Sequence, residues 1–173
     1  MSYEDELRRS LERHAGAPVP QILATRLLMR AAALLRARMD AALAREGIDM
    51  RGYLALVSIS LCNDEALRPS DLSVLLDATR TQVTRILDAL ARQKLVMRAP
   101  SREDRRTLNL TLTAAGQRKL ARCLPKAHAV YQQVWSGVAH FTPVMRDLRA
   151  LNTQLLMQAP SEGIHQAVPK LPA

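Results

Sequence analysis

Aromatic side chains are nearly missing from this sequence, with one Phe, one Trp and three Tyr among 173 residues. A core without rings must be filled by Leu, Val, Ala and Met, which favours helices over sheets. Cysteine is equally scarce. Cys62 and Cys123 form no CxxC pair and sit in apolar helical contexts, so both read as buried, unreactive thiols. No apolar run approaches a membrane span: LLMRAAALLR is broken by Arg30 and Arg36, and LALVSISLC stops at Asn63. The opening MSYEDELRRS lacks an apolar h-region, so a cytoplasmic protein with no membrane partner is expected. There is no P-loop, GxGxxG, HExxH or GxSxG. His14, His128, His140 and His165 are scattered, and no nucleophile, base and acid can be grouped. Neither an enzyme, nor a metal site, nor a cofactor is expected.

What is present is helical periodicity and positive charge. The length is that of one domain, able to bury roughly 70% of its unfolded surface. Tyr3 to His14 reads as a charged helix with acids first and bases later, matching the helix dipole. Ala15 to Pro20 breaks it. Gln21 to Glu46 reads as one long helix with an apolar stripe of Leu23, Leu27, Ala31, Leu34, Leu35, Met39, Ala42 and Leu43, ended by Gly47. Asp49 caps a buried helix from Met50 to about Cys62, and Asn63 to Leu67 is a link.

The stretch from Arg68 to Lys119 carries the function. A short helix follows Pro69 with Ser70 as its expected N-cap, and Leu72, Leu75 and Leu76 face a core. Asp77 is placed where the chain should turn left-handed. A second helix starts at Thr79, and Thr79 with Gln82 has the spacing of a capping box. Val83, Ile86, Leu87 and Leu90 form its buried stripe. Thr81, Thr84, Arg85 and Asp88 fall on another side, and Arg80 and Gln82 add to the polar first turn. Arg suits guanine, Gln suits adenine, and Thr suits either polar edge or the thymine methyl. Two strands follow, Leu95 to Ala99 and Thr107 to Leu112, the second alternating Leu108, Leu110 and Leu112 with Asn109 and Thr111. Between them runs PSREDRR. From Arg80 to Arg106, eight Lys or Arg stand against three acids (Asp88, Glu103, Asp104), a net +5 out of the formal +9 of the chain. A basic hairpin beside a polar helix is a footprint for a polyanion. With no aromatic residue in it to stack on unpaired bases, duplex DNA is favoured. The expected fold is mainly α with a small β-hairpin wing (α+β), a winged helix-turn-helix whose flanking helices need a partner surface.

PSDLS, TRTQVTRILDALARQKLV, EDRRTLNLTLT and Gly116 just inside the next helix resemble the MarR family of bacterial transcription regulators. PQILATRLLMRAA and LPKAHAVYQQVWSGV resemble the branch that represses multidrug efflux operons, so the likeness runs from about Pro20 to Met157. The Asp-x-Arg mark of the family falls on Asp104 and Arg106. The resemblance implies that Arg106 enters a minor groove and that Asp104 shapes its surroundings, with Arg105 at phosphate or solvent and Arg102 a further DNA-binding candidate in the same turn. It also implies a homodimer, a duplex operator, and a small aromatic acid or lipophilic drug as effector. Arg26, Arg30 and Tyr53 are the possible polar contacts to that effector. Some relatives sense peroxides through a Cys near the N-terminus, and this chain has none there.

After the wing, Thr113 caps a helix to about Gly137 that contains Pro125. Thr142 and Pro143 read as N-cap and first position of a last helix, which carries Val144, Leu148, Leu151 and Leu155. The domains expected are 1–67 for N-terminal dimerisation helices and core, 68–116 for the DNA-binding module, 117–158 for C-terminal dimerisation helices, and 159–173 for a disordered tail. Two other readings stay open: an activator with the same fold, or a winged-helix module that binds an acidic protein and not DNA.

Overall fold

The computed structural model describes residues 3–62, 69–100 and 108–158. In chain order these form α1 (Tyr3–Glu12), α2 (Val19–Leu43) with a 3-10 turn (Ala44–Glu46), α3 (Met50–Leu61), α4 (Pro69–Leu75), α5 (Arg80–Arg92), the antiparallel strands β1 (Val96–Pro100) and β2 (Leu108–Leu112), α6 (Ala114–Trp135) and α7 (Phe141–Met157).

α3 is the axle. It packs against α2, α4, α5, α6 and β2, and Ala55, Leu56 and Ile59 are fully or almost fully buried. Two carboxylates satisfy two of the orphan N–H groups at its start. Asp49 Oδ1 accepts from the Gly52 N–H at 2.8 Å and Asp40 Oδ1 accepts from the Met50 N–H at 2.7 Å. Gly47, at φ +64°, makes the left-handed turn between α2 and α3. Met39, Leu43, Leu72, Val83, Leu87, Val96, Leu110, Leu120 and Cys123 join α3 in one core.

Several boundaries differ from the sequence reading. α2 begins at Val19, with Pro20 in its first turn, where a helix tolerates a missing N–H. α4 already starts at Pro69, so Ser70 lies inside the first turn and is not the N-cap. α7 starts at Phe141 with His140 as N-cap, and Thr142 and Pro143 fall within its first turn. The Phe141 ring meets Trp135 edge-on at 5.1 Å, an apolar contact that fixes the corner between α6 and α7 ahead of the expected cap.

The stripe on α2 is divided. Leu23, Met39 and Leu43 are buried, Leu35 and Ala42 are half-buried, and Leu27, Ala31 and Leu34 are exposed. α7 buries no residue, and Leu151, Leu155, Leu156 and Met157 are all exposed. Apolar surface therefore lies open on α2 and α7 together. No helix among the described residues is long and apolar enough to cross a membrane.

Candidate nucleic-acid interface

The turn between α4 and α5 is held from behind. Asp77 adopts φ +46°, the left-handed conformation expected for it. Its carbonyl accepts from Arg51 Nη2 of α3 at 3.0 Å, and its carboxylate lies 3.5 Å from Arg36 Nη2 of α2. Nothing local in the sequence announces these two arginines as partners of the turn.

α5 presents the two faces expected. Val83, Leu87 and Leu90 are buried and Ile86 is half-buried, while Thr81, Thr84, Arg85 and Asp88 are exposed. Thr79 and Arg80 are exposed as well. The capping box is complete: Thr79 Oγ1 accepts from the Gln82 N–H at 3.3 Å, and Gln82 Oε1 accepts from the Thr79 N–H at 2.9 Å. That geometry restricts Gln82. Bidentate reading of adenine needs the amide oxygen as well as the amide N–H group, and here the oxygen is taken by the helix terminus. Thr84 donates its hydroxyl to the Arg80 carbonyl at 3.0 Å, leaving its lone pairs and methyl for a partner. A depression of about 540 Å³ on α5 is lined by Arg85, Asp88, Ala91 and Arg92.

The hairpin follows a left-handed residue, Lys94 at φ +57°. Its register pairs Val96 with Leu112, Arg98 with Leu110 and Pro100 with Leu108. β1 starts at Val96, one residue later than the sequence reading, and Thr107, where the second strand was expected to start, lies outside the described residues. Arg102, Asp104, Arg105 and Arg106 lie outside the described residues, as does the side chain of Ser70. The hairpin is joined to α6 by Thr113, which donates its hydroxyl to the Lys94 carbonyl at 2.7 Å and accepts from the Gly116 N–H at 3.0 Å.

The candidate effector contacts do not gather in one place. Tyr53 is buried, and burial raises its pKa, as it does that of Tyr131. Arg26 and Arg30 are exposed on α2. A groove of about 400 Å³ between α3, β2 and α6 is lined by Ser60, Thr111, Leu112, Gln117, Leu120 and Leu124 among others, and none of the three candidates lines it. Cys123 is buried, with its thiol pKa pushed up by burial, whereas Cys62 is only half-buried at the end of α3. Among the described residues no cluster of His, Cys, Asp or Glu could hold a metal ion.

One ionic cluster was not foreseen. The Glu46 carboxylate accepts from Lys126 Nζ and, at 2.9 Å, from Arg122 Nε, and its carbonyl accepts from Lys119 Nζ. These hydrogen bonds hold its pKa down at about 2. The cluster ties the end of α2 to α6.

The sequence pattern of the MarR family matches residues 53–108, from α3 to the first residue of β2. The transcriptional repressor MprA of Escherichia coli K12 is 34% identical over 136 residues, which is 79% of this chain and 77% of that protein. The Mycobacterium tuberculosis regulator MosR, solved in complex with DNA, superposes with a TM-score of 0.65 at 28% identity, across 79% of this chain and 98% of that one. The M. tuberculosis MarR family protein Rv2887, solved with salicylic acid, superposes with a TM-score of 0.55 at 26% identity, across 75% of this chain and 93% of that one.

Proposed function

This chain belongs to the MarR family of transcriptional regulators, and from that premise we propose a ligand-responsive repressor. It binds a pseudo-palindromic duplex operator as a homodimer and is released by a small aromatic or lipophilic molecule. The observation that carries this reading is the exposed polar face of α5, with Thr81, Thr84 and Arg85 on it, beside a hairpin whose loop is arginine-rich. Arg85 is assigned to bases or phosphates of the major groove, Arg80 and Thr81 to the same groove, and Arg106 to the adjacent minor groove. Gln82 and Thr79 act by shaping the helix terminus. Residues 68–116 read DNA, and residues 1–67 and 117–158 supply core and dimer contacts. The open apolar faces of α2 and α7 support pairing with a second copy. The site of action is the cytoplasm, and no catalytic step is assigned.

MosR was solved with DNA and Rv2887 with salicylic acid, which supports a duplex partner and an aromatic-acid class of effector. Tyr53 is buried, so a ligand reaches it only by opening the core. Arg26 and Arg30, exposed on α2, are the accessible partners for a carboxylate. Release requires that the effector bind the DNA-incompetent arrangement better than the competent one.

Selection of bound fragments from the source genome tests the function and yields operator and target together. An enriched duplex is expected, with log K falling linearly as log salt rises. Where it lies relative to its promoter separates repressor from activator. No enrichment, together with no salt-dependent binding to random duplex, would overturn the reading in favour of a protein-interaction module.

A further inference from the structure

Arg98 is exposed as a residue, yet the strand register places it on the inward face of the hairpin. It stands opposite Leu110, as Val96 stands opposite Leu112. Residues directly opposite in an antiparallel pair share a face of the ribbon, as do residues two apart on one strand. Val96 and Leu110, on that shared face, are buried, whereas Met97 on the other face is 58% exposed. The period of the strand thus calls for an apolar residue at position 98, and the sequence supplies a guanidinium.

That guanidinium is answered by α5. Arg98 Nη2 lies 2.8 Å from Asp88 Oδ1. Asp88 has Arg85 three residues before it and Arg92 four residues after it on the same helix, yet it pairs with Arg98 across the chain reversal. Among the described residues neither Arg85 nor Arg92 has a carboxylate partner.

We propose that Asp88 is a positioning residue for DNA recognition. It clamps Arg98 and so fixes β1, and with it the paired strand β2, against α5. It leaves Arg85 and Arg92 open to DNA and holds Arg98 away from it. The inference rests on the DNA-binding reading above. A two-stranded ribbon has little stability of its own, and two elements that enter neighbouring grooves must keep a fixed angle. A charge-assisted pair between helix and strand supplies that constraint. Charge counting makes the opposite prediction, because a carboxylate on a DNA-facing helix repels phosphate and its removal should tighten binding.

The test compares the wild type with Asp88→Asn, Arg98→Met and the double variant. Binding is measured to the duplex recovered by selection and to random duplex, across a range of salt concentrations. Each single change should weaken binding to the selected duplex about tenfold and leave random-duplex binding and the salt slope unchanged. The double variant should be no worse than either single one. Arg98→Met places an apolar chain at an inward position, so it should fold even if Asp88→Asn does not. The proposal is overturned if Asp88→Asn binds the selected duplex as well as or better than wild type, or if Arg98→Met lowers the salt slope by about one contact, which would make Arg98 a phosphate ligand. If the wild type enriches no duplex, the DNA-binding reading itself fails and this one with it. If it enriches one and the variants match it, only the positioning role fails.

Discussion

The carbonyl oxygen of Leu95 lies 2.1 Å from the point where a Cβ on Gly116 would sit. The same carbonyl accepts from the Thr113 N–H at 3.0 Å. The residue leading into β1 and the start of α6 are therefore in backbone contact, and no side chain fits between them. Gly116→Ala must push α6 off the hairpin or break the Thr113 bond. A loss of about 1–3 kcal/mol is expected, read as a lower midpoint in urea at unchanged slope. An unchanged midpoint would mean that α6 shifts there at no cost.

Gln82→Ala removes half of the capping box. Stability should fall by about 1 kcal/mol, while the base preferences found by selection stay as in wild type. Arg85→Ala should do the reverse, relaxing preference at one position with little change in melting. Loss of an adenine preference in Gln82→Ala at normal stability would show that the amide leaves the cap to read DNA.

The Glu46 cluster sets an acid limit. Hydrogen bonds from Lys126 and Arg122 lower the folded-state pKa from 4.5 to about 2. The unfolded chain therefore binds the proton more readily, so the contribution is present above about pH 4.5 and is lost as pH falls through about 2. Wild type should lose thermal stability across that window. Glu46→Gln should start lower at neutral pH and lose less on acidification. Parallel pH profiles for the two proteins would remove Glu46 from the acid response.

Leu148, half-buried, and Leu151 and Leu155, both exposed, follow one another along α7. Replacing all three with Asp should yield monomers or aggregates by light scattering and abolish tight operator binding, because two half-sites about one helical turn apart need two linked modules. A triple variant that remains dimeric would take α7 out of the interface.

Arg106, outside the described residues, carries a prediction from sequence alone. Arg106→Ala should cost about 1–3 kcal/mol of operator binding and lower the salt slope by about one. Asp104→Ala should also weaken binding although it removes a negative charge. Tighter binding by that variant, at intact circular dichroism, would make Asp104 an ordinary wing acid.

The sequence by itself determined the features that depend on neighbours within about one helical turn. The Thr79–Gln82 capping box, the Asp49 and Thr113 caps, the left-handed Asp77 and the buried stripe of Val83, Leu87 and Leu90 all appear in the structure as read. Each involves groups a few residues apart, so spacing alone brings them together. Where local signals competed the reading slipped: Ser70 and Thr142, residue types that cap well, fall inside the helices they were expected to start. Tertiary structure decided the rest. Arg122 and Lys126 reach Glu46 from 76 and 80 residues away, and Arg51 reaches the Asp77 carbonyl from 26. Such partners are chosen by which helix faces pack together, and periodicity gives the faces without naming what they meet. The same holds for Arg98, counted in the sequence among the charges available to DNA and turned by the strand register toward Asp88.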